Sequence, residues 1–196
     1  LNRSDLLDIN SEISLKKDVN LIRLLVIGRW LPYKSLKLLI GALSSIEKYE
    51  LHKKILISIK GSSYPENEIK ALKKATNNKN IKIEYDENYI PDSDVDQLLL
   101  TCDYCLFLYT KASQSGFMQR CKELSVPVIS TRVGGLEEYL INGAKGHAVE
   151  PEFESIKFII KQISNKYPYP FQYQGNVNKS NPLIDCLKND YLKNMY

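Results

Sequence analysis

The sequence predicts an α/β protein whose single domain is built on a doubly wound, parallel sheet of about six strands. Aliphatic runs typical of buried strands alternate along the chain with segments whose apolar residues recur at helical spacing. Helices between consecutive strands favour parallel pairing through right-handed crossovers. The length of 196 residues is enough for one such domain and too short for two with a linker.

The first two strand and helix pairs carry the clearest patterns. Residues 21–27 form a continuous aliphatic run that ends at a glycine, and residues 35–49 follow with helical spacing. Residues 54–60 alternate isoleucine with other residues, and residues 65–76 predict a lysine-rich helix with a proline suited to its first turn.

The remaining strands are short apolar runs, each followed by a predicted helix. The strands are predicted at 81–85, 104–109, 126–130 and 147–149. The helices are predicted at 93–100, 117–124, 136–141 and 152–164. We expect Asp92 or Ser93 to cap the first of these helices, because short polar side chains accept the free N–H groups of a first turn.

The two ends of the chain depart from this pattern. Residues 1–20 are polar, show no signal peptide and predict a lead-in to a domain over 21–166. Residues 167–196 begin with alternating tyrosine and proline, which predicts a linker, and end in a predicted helix over 183–195. Because the first residue is not Met, we expect a domain excised from a longer protein.

Composition excludes several classes of protein. The apolar share of 43% and charged share of 26% are ordinary for a soluble globular protein, and no apolar run is long enough to span a membrane. The net charge of +4 comes from scattered lysines, which argues against nucleic-acid binding. The four cysteines and two histidines lack metal-ligand spacing, and we expect Cys105 to be a buried thiol in a reducing, cytoplasmic environment.

Two cations lie on the loop after the first predicted strand. Arg29 and Lys34 are five residues apart and follow Gly28. A guanidinium offers a planar fork to phosphate oxygens and an ammonium offers a compact charge, so the pair suits a diphosphate. Taken alone, the motif is equally well interpreted as a solvated loop with one cation capping a helix.

The segment from Ser113 to Glu138 predicts a second part of the same site. Small side chains, hydroxyl groups and a glycine precede a predicted helix, whose free N–H groups and dipole favour an anion. A buried strand and a tight Gly134-Gly135 turn follow. The alternative is an ordinary helix cap made by Ser115. Since both motifs lie at carboxyl ends of parallel strands, together they indicate a nucleotide-sugar site.

These motifs resemble the carboxyl-terminal, donor-binding half of the GT-B-fold retaining glycosyltransferases of family 4, also called group 1. The resemblance covers about residues 21–164 and implies a Rossmann-like domain. The motifs that carry it are Gly28-Arg29 with Lys34, the strand 104–109, Ser113-Gln114-Ser115-Gly116, Pro127-Val128-Ile129, Gly134-Gly135 with Glu138, and Gly143 and Gly146 before Val149-Glu150-Pro151.

The resemblance also implies roles for individual residues. The donor would be a UDP- or GDP-sugar, with no cofactor or metal, and no catalytic residue is assigned. The diphosphate would be held by Arg29, Lys34, Ser115, Gly116 and Phe117. The sugar and ribose would lie near Ser113, Gln114, Glu123 and Glu138, and the nucleobase near Tyr89 or Ile90.

Two features depart from the family pattern. Many members carry a pair of glutamates across this loop and helix, whereas counting back from Pro127 places Ala112 and Arg120 there. Glu123, one helical turn away, is the expected substitute for the ribose contact. The residue after the motif lysine is Ser35 instead of the usual glycine.

The expected function is transfer of a hexose-type sugar to a saccharide or lipid-linked acceptor, in polysaccharide biosynthesis. The acceptor would bind an amino-terminal domain outside this chain, so we expect the chain alone to bind donor weakly and transfer nothing. The full-length enzyme is expected in the cytoplasm, peripherally associated with the inner face of the membrane. Two alternatives stay open: a non-catalytic nucleotide-sugar-binding module, which Arg120 suggests, and half of a nucleotide-sugar epimerase, for which His147 gives little support.

Overall fold

A computed structural model describes residues 18, 20–34, 36–47, 49–76 and 78–166. The strands are β1 (Leu21–Ile27), β2 (Lys54–Lys60), β3 (Ile81–Asp86), β4 (Tyr104–Phe107), β5 (Val128–Thr131) and β6 (Gly146–Val149). The helices are α1 (Lys37–Ser44), α2 (Glu66–Ala75), α3 (Asp92–Leu100), α4 (Gly116–Glu123), α5 (Leu136–Ile141) and α6 (Phe153–Asn165), with a 3-10 turn at Pro32–Lys34. Most of the predicted lead-in, Ser35, and the linker and helix predicted beyond residue 166 lie outside the described residues.

The six strands form one parallel sheet in the order β3-β2-β1-β4-β5-β6. The order reverses between β1 and β4, as in Rossmann-like folds. Helices α1, α2 and α6 contribute to the apolar cluster on one face of the sheet, and α3, α4 and α5 to the cluster on the other. The predicted doubly wound parallel sheet is therefore confirmed.

Successive residues of the central strands face opposite helical layers. In β4, Leu106 belongs to one apolar cluster and Phe107 to the other, and every residue of this strand is buried. In β1, Leu24 and Leu25 divide in the same way. Burial on both faces explains why these strands are continuous apolar runs in the sequence. None of the described helices has the length and apolar character of a membrane span.

Helix α1 ends at Ser44, five residues before the predicted end. The hydroxyl groups of Ser44 and Ser45 donate to the carbonyl oxygens of Gly41 and Ala42, at 2.8 and 2.9 Å. The serine hydroxyl groups satisfy carbonyl oxygens that would otherwise accept backbone N–H groups of a further helical turn, and the helix ends there.

Strand β4 ends at Phe107, whereas the sequence predicted a strand to Tyr109. The Thr131 hydroxyl donates to the carbonyl oxygen of Tyr109 at 2.6 Å and to that of Phe107 at 3.3 Å. The Thr131 side chain thus satisfies backbone carbonyl groups at the point where β4 stops pairing with its neighbours, and Tyr109 lies beyond the strand.

The predicted cap of α3 was wrong. Pro91 precedes the helix in an extended conformation, and no side chain caps the first turn. Asp92 is the first helical residue, and its carboxylate pairs with Arg120 on α4 instead. The Asp92 side chain, which the local sequence predicted to cap α3, therefore forms an ion pair with a residue of another helix.

Candidate functional site

The loops after β1 and β4 meet at the point where the strand order reverses. The ladder between these two strands contains only the pairs Leu24–Tyr104 and Leu25–Cys105, so their carboxyl ends separate. Across the gap, the Thr110 N–H donates to the Tyr33 carbonyl oxygen at 2.9 Å. Open parallel sheets bind ligands in such a crevice.

The Phe117 ring covers the carboxyl end of β1. A Cβ atom built at Gly28 would lie 2.9 Å from Phe117 Cε2, and Gly28 has a φ of +109°, which side chains rarely adopt. Glycine at this position lets the ring at the start of α4 approach the backbone. Arg29 follows directly, so the two predicted parts of the site are adjacent.

The turn at Gly134 and Gly135 supports the loop that leads into α4. A Cβ atom at Gly134 would overlap the carbonyl oxygen of Ala112, and one at Gly135 would overlap that of Ser113. The Gly135 N–H donates to the Ala112 carbonyl oxygen at 3.3 Å. The segment 113–138 therefore packs onto itself, and the two glycines allow the turn to approach the loop that leads into α4.

Ser115 caps α4, as the alternative interpretation required. Its hydroxyl oxygen accepts from the Met118 N–H at 3.4 Å, and the side chain is buried. Within the described part of the chain, the N–H groups of Gly116 and Phe117 have no protein partner, as expected of a first helical turn. A Cβ atom at Gly116 would meet no atom within 4 Å. Capping by Ser115 and open N–H groups beside it therefore coexist.

Lys34 lies half-buried beside this helix start. Its Nζ atom lies 5.2 Å from the centroid of the Tyr109 ring and 5.8 Å from that of Tyr33. Burial lowers the pKa of Lys34, because an ammonium is less favourable away from water. Among the described residues no carboxylate forms an ion pair with Lys34. Its charge is therefore available to an anion.

An open cleft of about 390 Å³ connects these groups. Its lining residues are Lys34, Asp92, Gln114, Ser115, Gly116, Phe117 and Arg120. The structure thus brings together five of the residues predicted for the site, namely Lys34, Gln114, Ser115, Gly116 and Phe117.

The other predicted residues do not line the cleft. Arg29 is exposed at the end of β1 and has no ion-pair partner in the described part of the chain. Glu123 is exposed at the end of α4, where it accepts from Gln119 Nε2 at 2.7 Å. Ser113 and Glu138 are exposed, Tyr89 is 82% exposed, and Ile90 is partly buried against the second apolar cluster.

An ion-paired group at the cleft was not predicted. Arg120 Nη1 lies 2.5 Å from Asp92 Oδ1, and its Nε lies 2.8 Å from Asp96 Oδ1 without hydrogen-bond alignment. The hydrogen bond to Asp92 raises the pKa of Arg120 above its ordinary value. The sequence signal was a pair of aspartates four residues apart on one helix face, but pairing with Arg120 depends on the packing of two helices.

The predicted absence of a metal stays a prediction. Among the described residues, no three or more His, Cys, Asp or Glu side chains are grouped so that they could hold a metal ion. Cys102, Cys105 and Cys121 are buried, and Cys105 is a thiol outside any disulfide, so the buried thiol expected at Cys105 is present.

The family model described as glycosyl transferases group 1 matches residues 9–176. A comparison with curated proteins by sequence finds no match.

Solved structures share the fold at low identity. WaaG, a glycosyltransferase involved in lipopolysaccharide biosynthesis, is 18% identical with a TM-score of 0.62, over 86% of this chain and 44% of WaaG. Sucrose-phosphate synthase from Thermosynechococcus elongatus is 18% identical with a TM-score of 0.62, over 80% of this chain and 39% of the synthase. HepE from Anabaena, in complex with UDP-glucose, is 18% identical with a TM-score of 0.57, over 83% of this chain and 43% of HepE. This chain therefore corresponds to less than half the length of each, and its fold is that of one half of a GT-B enzyme.

Proposed function

The chain belongs to the group 1 glycosyl transferases, and on that premise we propose that its cleft binds the diphosphate of a UDP- or GDP-sugar. The observation that carries the proposal is that, among the described residues, the half-buried Lys34 has no ion-pair partner and shares a cleft with the N–H groups of Gly116 and Phe117, which have no protein partner there. A cation and a helix start in one cleft suit a multiply charged anion. The complexes of HepE with UDP and with UDP-glucose support this ligand class.

In this proposal the nucleotide runs along the cleft. Lys34 and the start of α4 hold the diphosphate, and the exposed Arg29 reaches it from the end of β1. The nucleobase lies toward the loop that carries Tyr89 and Ile90. The sugar lies toward Gln114 and the neighbouring Ser113.

The proposed reaction is transfer of a hexose-type sugar with retention. The bond between the anomeric carbon and the diphosphate oxygen breaks, an acceptor hydroxyl attacks that carbon from the face that the diphosphate leaves, and the hydroxyl proton passes to an oxygen of the departing diphosphate. Negative charge then grows on the departing nucleoside diphosphate, where Lys34, Arg29 and the helix N–H groups would stabilise it without a metal. The acceptor, a saccharide or a lipid-linked saccharide, would bind a domain outside this chain, and the full-length enzyme would work in the cytoplasm at the membrane surface.

A second candidate is a non-catalytic module that only binds the nucleotide-sugar. The observation in its favour is that Arg120, held by two carboxylates, occupies a position where many family members carry a glutamate. The epimerase alternative gains no support, because His147 is 1% exposed in β6 and does not line the cleft.

Calorimetric titration of the 196-residue chain with UDP, GDP and UDP-glucose tests the donor site. We expect Lys34→Ala to weaken nucleotide binding about tenfold or more, since it removes a charge-assisted contact. Gly116→Ala should weaken binding without lowering the midpoint of thermal unfolding, because its methyl group would point into open space before the helix start.

Lys145→Ala is the matched control. Lys145 is exposed next to the amino end of β6, at the opposite edge of the sheet, so its loss should leave affinity unchanged. Equal affinity in the Lys34 variant, the Gly116 variant and the unaltered chain would remove the proposed diphosphate site.

A further inference from the structure

We propose that Asp92 binds the ribose hydroxyl groups of the nucleotide and that Arg120 is the positioning residue that holds its carboxylate toward the cleft. The inference rests on the proposed function and adds a specificity residue to the same site. The sequence had assigned this contact to Glu123.

The two cleft-lining cations differ in their surroundings. Lys34 has no carboxylate partner among the described residues, whereas Arg120 pairs with Asp92 and Asp96. An anionic group is therefore drawn to Lys34. Around Arg120 two carboxylates outnumber one guanidinium and offer acceptor oxygens, which suits a neutral part of the ligand that carries hydroxyl groups.

The carboxylate of Asp92 is both fixed and accessible. Its Oδ1 lies 2.5 Å from Arg120 Nη1, and its carbonyl oxygen lies 3.4 Å from Nη2. The side chain is nevertheless 85% exposed and lines the cleft. An ionised carboxylate has about four acceptor sites on its two oxygens, so the bond to Arg120 leaves room for a neighbouring pair of hydroxyl groups.

Two other groups fit this role less well. Glu123 does not line the cleft and already accepts from Gln119. Arg120 would suit a phosphorylated ribose, but a phosphate there would lie beside the carboxylates of Asp92 and Asp96 and be repelled. An acidic residue against the ribose hydroxyls selects the unphosphorylated sugar, as in dinucleotide-binding folds.

The position of Asp92 also matches the order of groups in a nucleotide. The loop proposed for the base, with Tyr89 and Ile90, leads directly into Asp92. Lys34 and the start of α4 complete the lining of the same cleft. In this proposal the base lies at the loop before Asp92, the ribose at Asp92 and the diphosphate at Lys34.

Calorimetry with UDP and 2′-deoxy-UDP, and with GDP and 2′-deoxy-GDP, tests the inference on the same chain. We expect the unaltered chain to bind the ribonucleotide about tenfold more tightly than its deoxy analogue, the size of one hydrogen bond to a charged group. Asp92→Ala should reduce this ratio to about one. Asp94→Ala is the matched control, because Asp94 lies in the same first turn, is exposed and does not line the cleft.

The positioning role of Arg120 has its own readout. Arg120→Met should reduce the ribose preference, and Arg120→Lys should restore part of it, whereas a purely structural role would change the unfolding midpoint and leave the preference intact. A ribose preference retained in Asp92→Ala, or absent from the unaltered chain, would overturn this inference and leave the diphosphate site standing. If neither UDP nor GDP binds the unaltered chain, the proposed function fails and this inference fails with it.

Discussion

His147 is a buried titratable side chain in β6. Only 1% of its surface is exposed, and its ring centroid lies 5.8 Å from that of Tyr104. Burial lowers its pKa from 6.5 to about 4. Between these values the unfolded chain binds a proton that the folded chain does not, so the free energy of unfolding falls as the pH falls.

We predict that this residue removes about 3 kcal/mol of stability between neutral pH and the folded-state pKa. Urea unfolding of the chain and of His147→Gln at several pH values in this range measures the loss. The free energy of unfolding should depend less on pH in the variant. The exposed His52 provides the control, since His52→Gln should keep the original pH dependence. Parallel pH profiles for the chain and His147→Gln would contradict the prediction.

At the residue scale, the sequence predicted the groups whose chemistry is local. Gly116, Phe117 and Ser115 were identifiable because a helix start exposes N–H groups whatever packs around it. Asp92 was not, since its use depends on Arg120, which lies 28 residues away in the chain. The side-chain type of Asp92 predicted a helix cap, whereas the contact between α3 and α4 pairs it with Arg120.

At the scale of elements, helix α2 holds the loop that carries Arg29 and Lys34. The buried Glu68 carboxylate accepts from the Leu36 N–H at 2.8 Å and from Trp30 Nε1 at 3.4 Å. These bonds attach α2 to both ends of the loop, and the acidic group also lies at the start of α1, where the helix dipole favours it.

We predict that Glu68→Ala lowers the free energy of unfolding by about 2 kcal/mol, because the buried Leu36 N–H loses its charged partner. Nucleotide affinity should fall as well, because the loop that carries Lys34 is no longer held. Urea unfolding and calorimetry measure the two effects. Glu66→Ala is the control: this side chain is 80% exposed and pairs with Lys70 along the same helix, so its loss should cost less than about 0.5 kcal/mol. Equal effects of the two substitutions would refute a positioning role for Glu68.

The centres of elements were predictable and their ends were less so. Strands β1 and β2 have the predicted bounds. In β1 both faces are buried and the apolar run is continuous, whereas in β2 the buried isoleucines alternate with less buried residues, and both patterns are regular along the whole strand. The ends of α1 and β4 depend on hydroxyl groups that satisfy carbonyl oxygens, from Ser44, Ser45 and Thr131. The pattern of apolar residues does not record such bonds, and the bond from Thr131 also requires β5 to lie beside β4, so the elements predicted from that pattern were too long at both ends.

At the scale of the whole molecule, the parallel direction of all six strands places the predicted binding loops at the carboxyl end of the sheet. The reversal between β1 and β4 opens the cleft at that end, and apolar clusters fill both faces behind it. Within the described part of the chain, the residues that line the cleft come from the loops and helix starts at this end of the sheet. Because this chain covers between 39% and 44% of the solved enzymes described above, a second wall of such a cleft would come from elsewhere.

We predict that the chain alone binds the donor and transfers no sugar. The cleft supplies groups for a departing diphosphate, whereas an acceptor hydroxyl must also be held close to the anomeric carbon, and that positioning accounts for a large part of an enzyme's rate. Incubation with UDP-glucose or GDP-sugars, with and without simple saccharides, should release nucleoside diphosphate no faster than the Lys34→Ala variant does. Saccharide-dependent release by the unaltered chain, absent from that variant, would show that the chain holds an acceptor by itself. Donor binding without transfer, followed by transfer once a separate acceptor-binding domain is added, would distinguish a donor half from a module that only binds.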